Sequence, residues 1–233
     1  MTSVAIMQPT YLPWIGYFGL MDAVDVFVIL DIVQFDRRSW QQRNRIKTAT
    51  GSMWLTVPVI SKGQRSQSIL ETKIDTNQKF PLSHCRSISQ NYSKSSNFKE
   101  YWPDIENIIN SKHDYLSHLT VSLISLIKNR LAISTELILA SNLSVSGNKD
   151  VLLLNICEEV GAKVYISPPG SESYLGSENC FDGSEVSLKY FSFEHPEYRQ
   201  LFESFMPYMS IIDLLFNTGK ASVEVIRSGV RWR

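Results

Sequence analysis

Five cations lie within eleven residues of this chain, at positions 37–47 (RRSWQQRNRIK). Guanidinium groups bind phosphates and carboxylates through two parallel hydrogen bonds, so this segment could hold an anionic ligand. We single out Arg45 as a substrate-binding cation. The amides of Gln34 and Asn44 flank the cluster, and solubility alone does not require them, so we expect both to contact substrate.

A solvated basic loop is the alternative interpretation of this segment. Phe35 and Trp40 argue against it, because apolar side chains at these positions would keep the segment packed. Asp31 ends the preceding strand-like run and could orient a sugar hydroxyl, bind a substrate amine or act as a base.

The segment 8–17 (QPTYLPWIGY) is the second candidate. It follows a short apolar run, and its two prolines exclude a helix there. A loop at the carboxyl end of a parallel strand is where ligands bind in such folds, and the start of the next helix suits an anion. We therefore expect Gln8, Tyr11 and Tyr17 to contact substrate. The alternative is a tight structural turn whose aromatic side chains are core residues.

The glycine at position 16 invites comparison with the class I synthetase and nucleotidyltransferase superfamily, which carries an HxGH signature after its first strand. The corresponding residues here are Trp14-Ile15-Gly16-Tyr17, so both histidines are absent. This argues against adenylyl transfer by that route, although the topology of that superfamily remains possible. Neither GxxxxGK[ST] nor GxGxxG occurs in the sequence.

Two further groups of polar residues could supply acid–base chemistry. His84 lies near Tyr92, although a lone helical histidine is more often structural. The C-terminal group contains His195 on a loop, with Asp213 and Asn217 four residues apart on one helix face. Tyr174 and Tyr198 accompany this group. Asp213 could instead cap its helix, and neither a GxSxG elbow nor a metal-ligand spacing is present.

The strands and helices that must position these residues follow one another in an order typical of an α/β fold. We expect a mostly parallel sheet with flanking helices. Strands are predicted at 3–7, 25–31, 53–60, 68–74, 134–140, 164–167 and 186–193. Helices are predicted at 14–23, 150–160, 210–216 and in the tail 222–233. Residues 80–130 repeat apolar side chains at helical spacing and predict a helical lobe within a single domain spanning 1–233.

Composition excludes some functional classes. The chain has 23 acidic and 23 basic side chains, so no global field favours DNA. No apolar run approaches the ~20 residues that span a bilayer, and no signal peptide begins the chain, so we expect a cytoplasmic protein. The three cysteines form no zinc pattern, and we expect neither a metal nor a cofactor.

Several long motifs together resemble those of the WbqC-like family of bacterial proteins. They are AIMQPTYLPWIGYFGLMDAVDVFVILDIVQF, WQQRNRIK, WLTVPV, HPEYRQ and MSIIDLLFNTG, and they extend to about residue 219. The site positions named above fall within the matching regions. One departure is Pro168-Pro169-Gly170, where the resemblance implies a glycine-containing turn beside Tyr174.

Members of this family are typically encoded among genes for O-antigen and other surface polysaccharides. The resemblance therefore implies a role in the synthesis of these polysaccharides. Our first hypothesis is a transferase that attaches an acyl or aminoacyl group to a nucleotide-linked or lipid-linked amino sugar. His195 or His84 would act as base, Asp213 would orient the histidine, and the cations of residues 37–47 would hold phosphates. An ATP-dependent ligase or nucleotidyl-transferring enzyme is the second hypothesis, and a non-catalytic binding or assembly protein is the third.

Overall fold

A six-stranded sheet forms the centre of the molecule, here described from a computed structural model for residues 1–64, 66–168 and 180–232. Its strands are β1 (Ser3–Met7), β2 (Val26–Ile29), β5 (Glu136–Leu139), β6 (Val164–Ser167), β7 (Ser187–Phe193) and β8 (Val230–Trp232). The spatial order is β5-β2-β1-β6-β7-β8. All neighbouring pairs are parallel except β7 with β8. The expected mostly parallel α/β architecture is therefore confirmed.

The strand order changes direction between β1 and β6. From β1 the chain proceeds outward through β2 to β5, and it then returns to the other side of β1 as β6. A crevice opens at the carboxyl ends of two strands that diverge in this way, and it is where doubly wound folds bind ligands. Residues that follow β1 and β6 therefore occupy the favoured position for a site.

Strands β3 (Arg43–Thr48) and β4 (Gly51–Thr56) form a separate antiparallel hairpin. Gly51 has φ 130° at the turn, a conformation that disfavours side chains, as the predicted turn there requires. The sequence was expected to form one polar stretch over residues 33–47. In the structure the last residues of this stretch, 43–47, belong to strand β3. Pro58 lies beyond β4, which confirms it as a strand-end residue.

The helices cover both faces of the sheet. They are α1 (Ile15–Asp22), α2 (Phe80–Tyr92), α3 (Phe98–Asn110), α4 (Leu116–Arg130), α5 (Lys149–Glu159), α6 (Ile211–Thr218) and α7 (Ser222–Ser228). Side chains alternate along β1, so Ala5 joins one core with α1, α2–α4 and α6. Val4 and Ile6 join a second core with α5. Residues 80–130 contain three helices, α2, α3 and α4, which share the larger core.

Two predicted elements are wrong. Residues 68–74 form turns held by isolated bridges, of which Val59 with Ile74 is one, and not a strand. The tail is helical only to Ser228, because residues after Gly229 pair with β7 as β8. The free edge of β7 offers backbone hydrogen-bond partners to residues 230–232. This pairing outweighs the helical propensity of the tail. Within the described ranges, no helix is both long and apolar enough to cross a bilayer.

Candidate functional site

A cavity of about 400 Å³ lies at the carboxyl end of β1, and we call it the central cavity. Its lining combines the loop after β1, the start of α1, the strand β3 and the segment before α6. The lining residues are Met7, Thr10, Trp14, Tyr17, Trp40, Asn44, Arg45 and Tyr208. This volume lies within the usual range for small-molecule sites, and the mixture of aromatic rings with a few polar groups is typical of them.

Hydrogen bonds hold three parts of the cavity wall together at Leu12: the loop after β1, the strand β3 and the segment before α6. Asn44 donates from Nδ2 to the Leu12 carbonyl at 2.6 Å, and Ser210 donates from Oγ to the same oxygen at 2.9 Å. Leu12 has φ 45°, which is uncommon for a leucine. The Ser210 amide also donates to the Arg45 carbonyl at 2.9 Å. The wall is therefore preorganised, with Asn44 acting as a tie between β3 and the loop.

Three polar atoms of the central cavity have no hydrogen-bond partner among the described residues. They are Thr10 Oγ1, the Tyr17 hydroxyl oxygen and Arg45 Nε, all of them buried. Tyr17 is only 1% exposed, and burial raises the pKa of its hydroxyl. A buried polar group without a partner costs about 1–3 kcal/mol. A ligand with hydroxyl or anionic groups could form the missing hydrogen bonds with these three atoms and so remove the cost.

His195 lies directly behind the aromatic wall of the cavity. Its ring stacks on Trp14 at 6.4 Å and contacts Tyr208 at 5.2 Å, measured between ring centroids. Its Nδ1 lies 2.9 Å from the Pro196 carbonyl oxygen. That oxygen can only accept, so Nδ1 donates and Nε2 of the neutral ring carries the lone pair. No described residue pairs with the buried Nε2, and desolvation lowers the pKa of the ring. His195 is thus a base that is unprotonated near neutral pH.

A second cavity, of about 280 Å³, adjoins the first at the crevice between β1 and β6. It shares Met7, Thr10 and Trp40 with the central cavity, and Gln8 and Pro168 also line it. Gln8 Oε1 accepts a hydrogen bond from Gln41 Nε2 at 2.8 Å. Tyr174, Pro169 and Gly170 lie outside the described residues.

Asp213 is at the centre of a separate buried network. Its carboxylate accepts hydrogen bonds from the Tyr92 hydroxyl at 2.9 Å, the Tyr198 hydroxyl at 2.8 Å and Gln200 Nε2 at 2.8 Å. Burial raises the pKa of Asp213, and these donors partly oppose that change. Asp213 forms no hydrogen bond with His195, whose Nδ1 pairs with the Pro196 carbonyl and whose Nε2 has no partner among the described residues. Tyr198 contacts both residues, with its hydroxyl on Asp213 and its ring 6.3 Å from that of His195 between centroids, so the orienting role of Asp213 stays a prediction and would act through Tyr198.

Lys47 and Asn217 belong to the same region of the structure as Asp213. Lys47 is 2% exposed and donates from Nζ to the carbonyl oxygens of Phe202 and Ser204. Burial lowers its pKa, while the charge of Asp213 acts in the opposite direction. Asn217 donates to the Asp213 backbone carbonyl at 2.7 Å and lines a third cavity on the far side of α6. These contacts tie the 198–205 loop to α6 and β3.

Histidine 84 is a core residue. Its Nδ1 lies 2.9 Å from the Tyr11 hydroxyl, and its ring packs edge-on against Phe80. Desolvation lowers the pKa of His84 to about 4, with a weaker opposing effect from the Thr56 backbone. Tyr11 is fully buried, so this pair supports the loop from behind.

Asp31 and Gln34 lie outside the central cavity, and Asp31 is buried. Both carboxylate oxygens of Asp31 accept hydrogen bonds from Ser141, from its amide at 2.9 Å and its hydroxyl at 2.7 Å. Asp31 therefore anchors the chain after β5. Gln34 lines a polar cavity near Lys62, and its backbone bridges to Ser68.

The structure thus brings Tyr17, Asn44 and Arg45 together and places His195 beside them. Sequence reasoning did not select Thr10, Trp40 or Tyr208 as substrate contacts. Thr10 lies inside the candidate loop 8–17, and this position could have identified it as a substrate contact. Tyr208 lies in an irregular segment with no motif, and only the fold brings it to the cavity. Within the described part of the chain, no group of three His, Cys, Asp or Glu side chains could hold a metal ion.

The comparisons with known proteins agree with the sequence resemblance. The family model described as the WbqC-like protein family matches residues 8–225. The chain is also similar to the uncharacterized protein Rv1507c of Mycobacterium tuberculosis, at 38% identity over 229 residues, which cover 97% of this chain and 98% of that protein. No solved structure matches the chain. The lining of the central cavity and His195 fall within the matched region except Met7, and the chain belongs to the WbqC-like protein family.

Proposed function

We propose that this protein is a transferase of bacterial surface-polysaccharide (O-antigen) biosynthesis, which attaches an acyl or aminoacyl group to the amine of a nucleotide-linked or lipid-linked sugar. One observation carries the proposal. The central cavity contains the hydroxyls of Thr10 and Tyr17 and the Nε of Arg45, all buried without a hydrogen-bond partner in the described part of the chain. Nε2 of His195, behind the aromatic wall, is buried there without a partner as well. Membership of the WbqC-like family agrees with this role.

Each polar group has a part in the proposed reaction. Thr10 and Tyr17 bind sugar hydroxyls, and Arg45 binds a phosphate or carboxylate of a substrate. The sugar amine attacks the carbonyl carbon of the activated donor, so a C–N bond forms and the bond to the leaving group breaks. His195 Nε2 takes the proton that the amine loses, through a bridging water or after a movement of Trp14 or Tyr208, because these two rings separate His195 from the cavity. Because burial lowers the pKa of His195, the ring is neutral and ready to accept that proton near pH 7.

The test incubates the protein with nucleotide-linked amino sugars and with acyl and aminoacyl donors, and follows the sugar by mass spectrometry. The expected result is a mass increase equal to the transferred group. His195→Gln is expected to lower the rate by about 10²–10⁴-fold, the usual contribution of general-base catalysis. His118→Gln is the control, since His118 is exposed on α4. If the amino sugar binds but no donor produces a mass increase, the transferase assignment is wrong.

Nucleotidyl transfer or ATP-dependent ligation is the second candidate. The doubly wound strand order, with a cavity at the crevice between β1 and β6, favours nucleotide binding of the class I kind. The two absent signature histidines oppose it. Release of pyrophosphate from ATP in the presence of amino sugar would select this candidate over simple group transfer. Unchanged glycan output in cells that carry His195→Gln would instead favour a non-catalytic assembly role.

A further inference from the structure

Two arginines and two tryptophans form a cluster at the mouth of the central cavity, and we call Trp40, Arg43, Arg45 and Trp54 the Arg–Trp cluster. The Arg43 guanidinium carbon lies 4.2 Å from the centroid of Trp54, and the two tryptophan rings are 5.3 Å apart. The Arg45 guanidinium carbon lies 5.7 Å from Trp54 and 6.0 Å from Trp40. Arg43 and Arg45 alternate along β3 and so share one face, and Trp54 is paired with Arg45 in the hairpin.

No described residue neutralises the positive charges of this cluster. Within the described ranges, neither Arg43 nor Arg45 forms an ion pair or a side-chain hydrogen bond, and Nε of each is buried without a partner there. By contrast, Arg130, Arg227 and Arg231 each pair with a carboxylate. Two half-buried guanidiniums on one strand face, without a counter-ion, favour the binding of an anion with more than one charge.

The tryptophans indicate what the anion is attached to. Trp40 and Trp54 are 47% and 43% exposed, although such large apolar side chains are usually covered. An inorganic anion would gain nothing from an exposed indole, whereas a nucleobase stacks on one with useful affinity. A lipid chain would need a continuous apolar groove, and the cations interrupt the aromatic surface here.

The cluster is continuous with the central cavity. Trp40 and Arg45 belong to both, so a ligand held by the cluster can extend inward. Thr10 and Tyr17 line the same cavity as Arg45 and have buried hydroxyls, which a sugar attached to a phosphate would reach. We infer that the Arg–Trp cluster binds the base and diphosphate of a nucleoside diphosphate whose amino sugar occupies the central cavity. This inference rests on the proposed function and selects the nucleotide-linked over the lipid-linked substrate.

The binding of free nucleotides tests the inference without any donor. The full-length protein is titrated with UDP, GDP, CDP and dTDP, and with inorganic pyrophosphate and farnesyl diphosphate as probes of the anion and of a lipid diphosphate. At least one nucleoside diphosphate is expected to bind ten-fold or more tightly than either probe. Arg43→Met, Arg45→Met and Trp40→Leu are each expected to weaken that binding about 10-fold.

Arg231→Met and Trp232→Leu are matched controls, because they change another adjacent arginine and exposed tryptophan, on β8. Both are expected to bind nucleotide as the unmodified protein does, and thermal melting checks that all variants are folded. Equal or tighter binding of pyrophosphate or farnesyl diphosphate would overturn the inference. So would the absence of nucleotide binding, or cluster variants that bind normally.

The failures of the two proposals can be told apart. If a nucleoside diphosphate binds in a cluster-dependent way but no donor modifies any amino sugar, the cluster assignment stands and the transferase does not. If the protein modifies a lipid-linked or free amino sugar and binds no nucleotide, the transferase stands and the cluster assignment is wrong.

Discussion

His84 should make the stability of this protein depend on pH, because it is buried in its neutral form. The folded-state pKa is about 4, against 6.5 for an ordinary histidine, and burial is the main cause. Because the folded pKa is the lower one, the stabilising contribution is complete above pH 6.5 and is lost as the pH falls from 6.5 to about 4. Each pKa unit corresponds to about 1.4 kcal/mol, so the loss is about 3 kcal/mol over this window.

Urea denaturation at several pH values between 7.5 and 4 measures this effect, with His84→Gln as the test variant. Glutamine does not titrate and keeps a polar group for the Tyr11 hydroxyl. The difference in the free energy of unfolding between the two proteins should therefore shrink by about 3 kcal/mol across the window. His118→Gln, at an exposed position, should follow the unmodified protein. Parallel pH curves for His84→Gln and the unmodified protein would refute the reasoning.

Three substitutions extend these tests to the cavity and the carboxylate network. Tyr17→Phe removes a buried hydroxyl that has no partner, so the free energy of unfolding should stay constant or rise by about 1 kcal/mol, while nucleotide-sugar affinity falls; a clear loss in urea denaturation would contradict this. Tyr92→Phe should cost about 2–4 kcal/mol, because its hydroxyl donates to Asp213 Oδ1 and accepts from the Lys47 amide, and about twice as much as Tyr198→Phe, after which Gln200 still donates to Asp213 Oδ2; equal costs in the same assay would argue against that account. Gly16→Ala places a methyl group on the ring of Trp14 and should cost about 1–3 kcal/mol and change the tryptophan fluorescence, and an unchanged spectrum would show that the ring does not fill that space.

Local patterns in the sequence determined much of the fold. The apolar spacing of 80–130 depends only on neighbouring residues, and it predicted the helical region that the structure divides into α2, α3 and α4. Gly161, with φ 66°, ends α5 as its position indicated. The loop after β1 was placed at the ligand-binding edge because parallel strands expose their carboxyl ends together. Tyr17, which lines the central cavity, became a candidate through this kind of reasoning. So did His195, which lies behind the aromatic wall of the cavity.

The pairing of side chains could not be obtained in the same way. Asp31 binds Ser141, which is 110 residues away, and so a residue that resembled a base is held in a structural role. Asp213 and His195 both contact Tyr198, yet Asp213 accepts a hydrogen bond from Tyr92 of α2, and His195 pairs with the Pro196 backbone carbonyl. Which partner wins depends on the direction of each side chain after packing, and sequence spacing carries no information about that direction.

The sequence by itself determined the family, the helical and strand segments of the core, and the presence of a basic segment that could bind an anion. Only the tertiary structure decided that Arg43 and Arg45 lie beside Trp54 with no counter-ion among the described residues, and that Tyr208 lines the central cavity. Propensity and periodicity act between neighbours along the chain. A cavity forms where the strand order and the packing of distant segments leave polar atoms without partners, and this property belongs to the assembled fold.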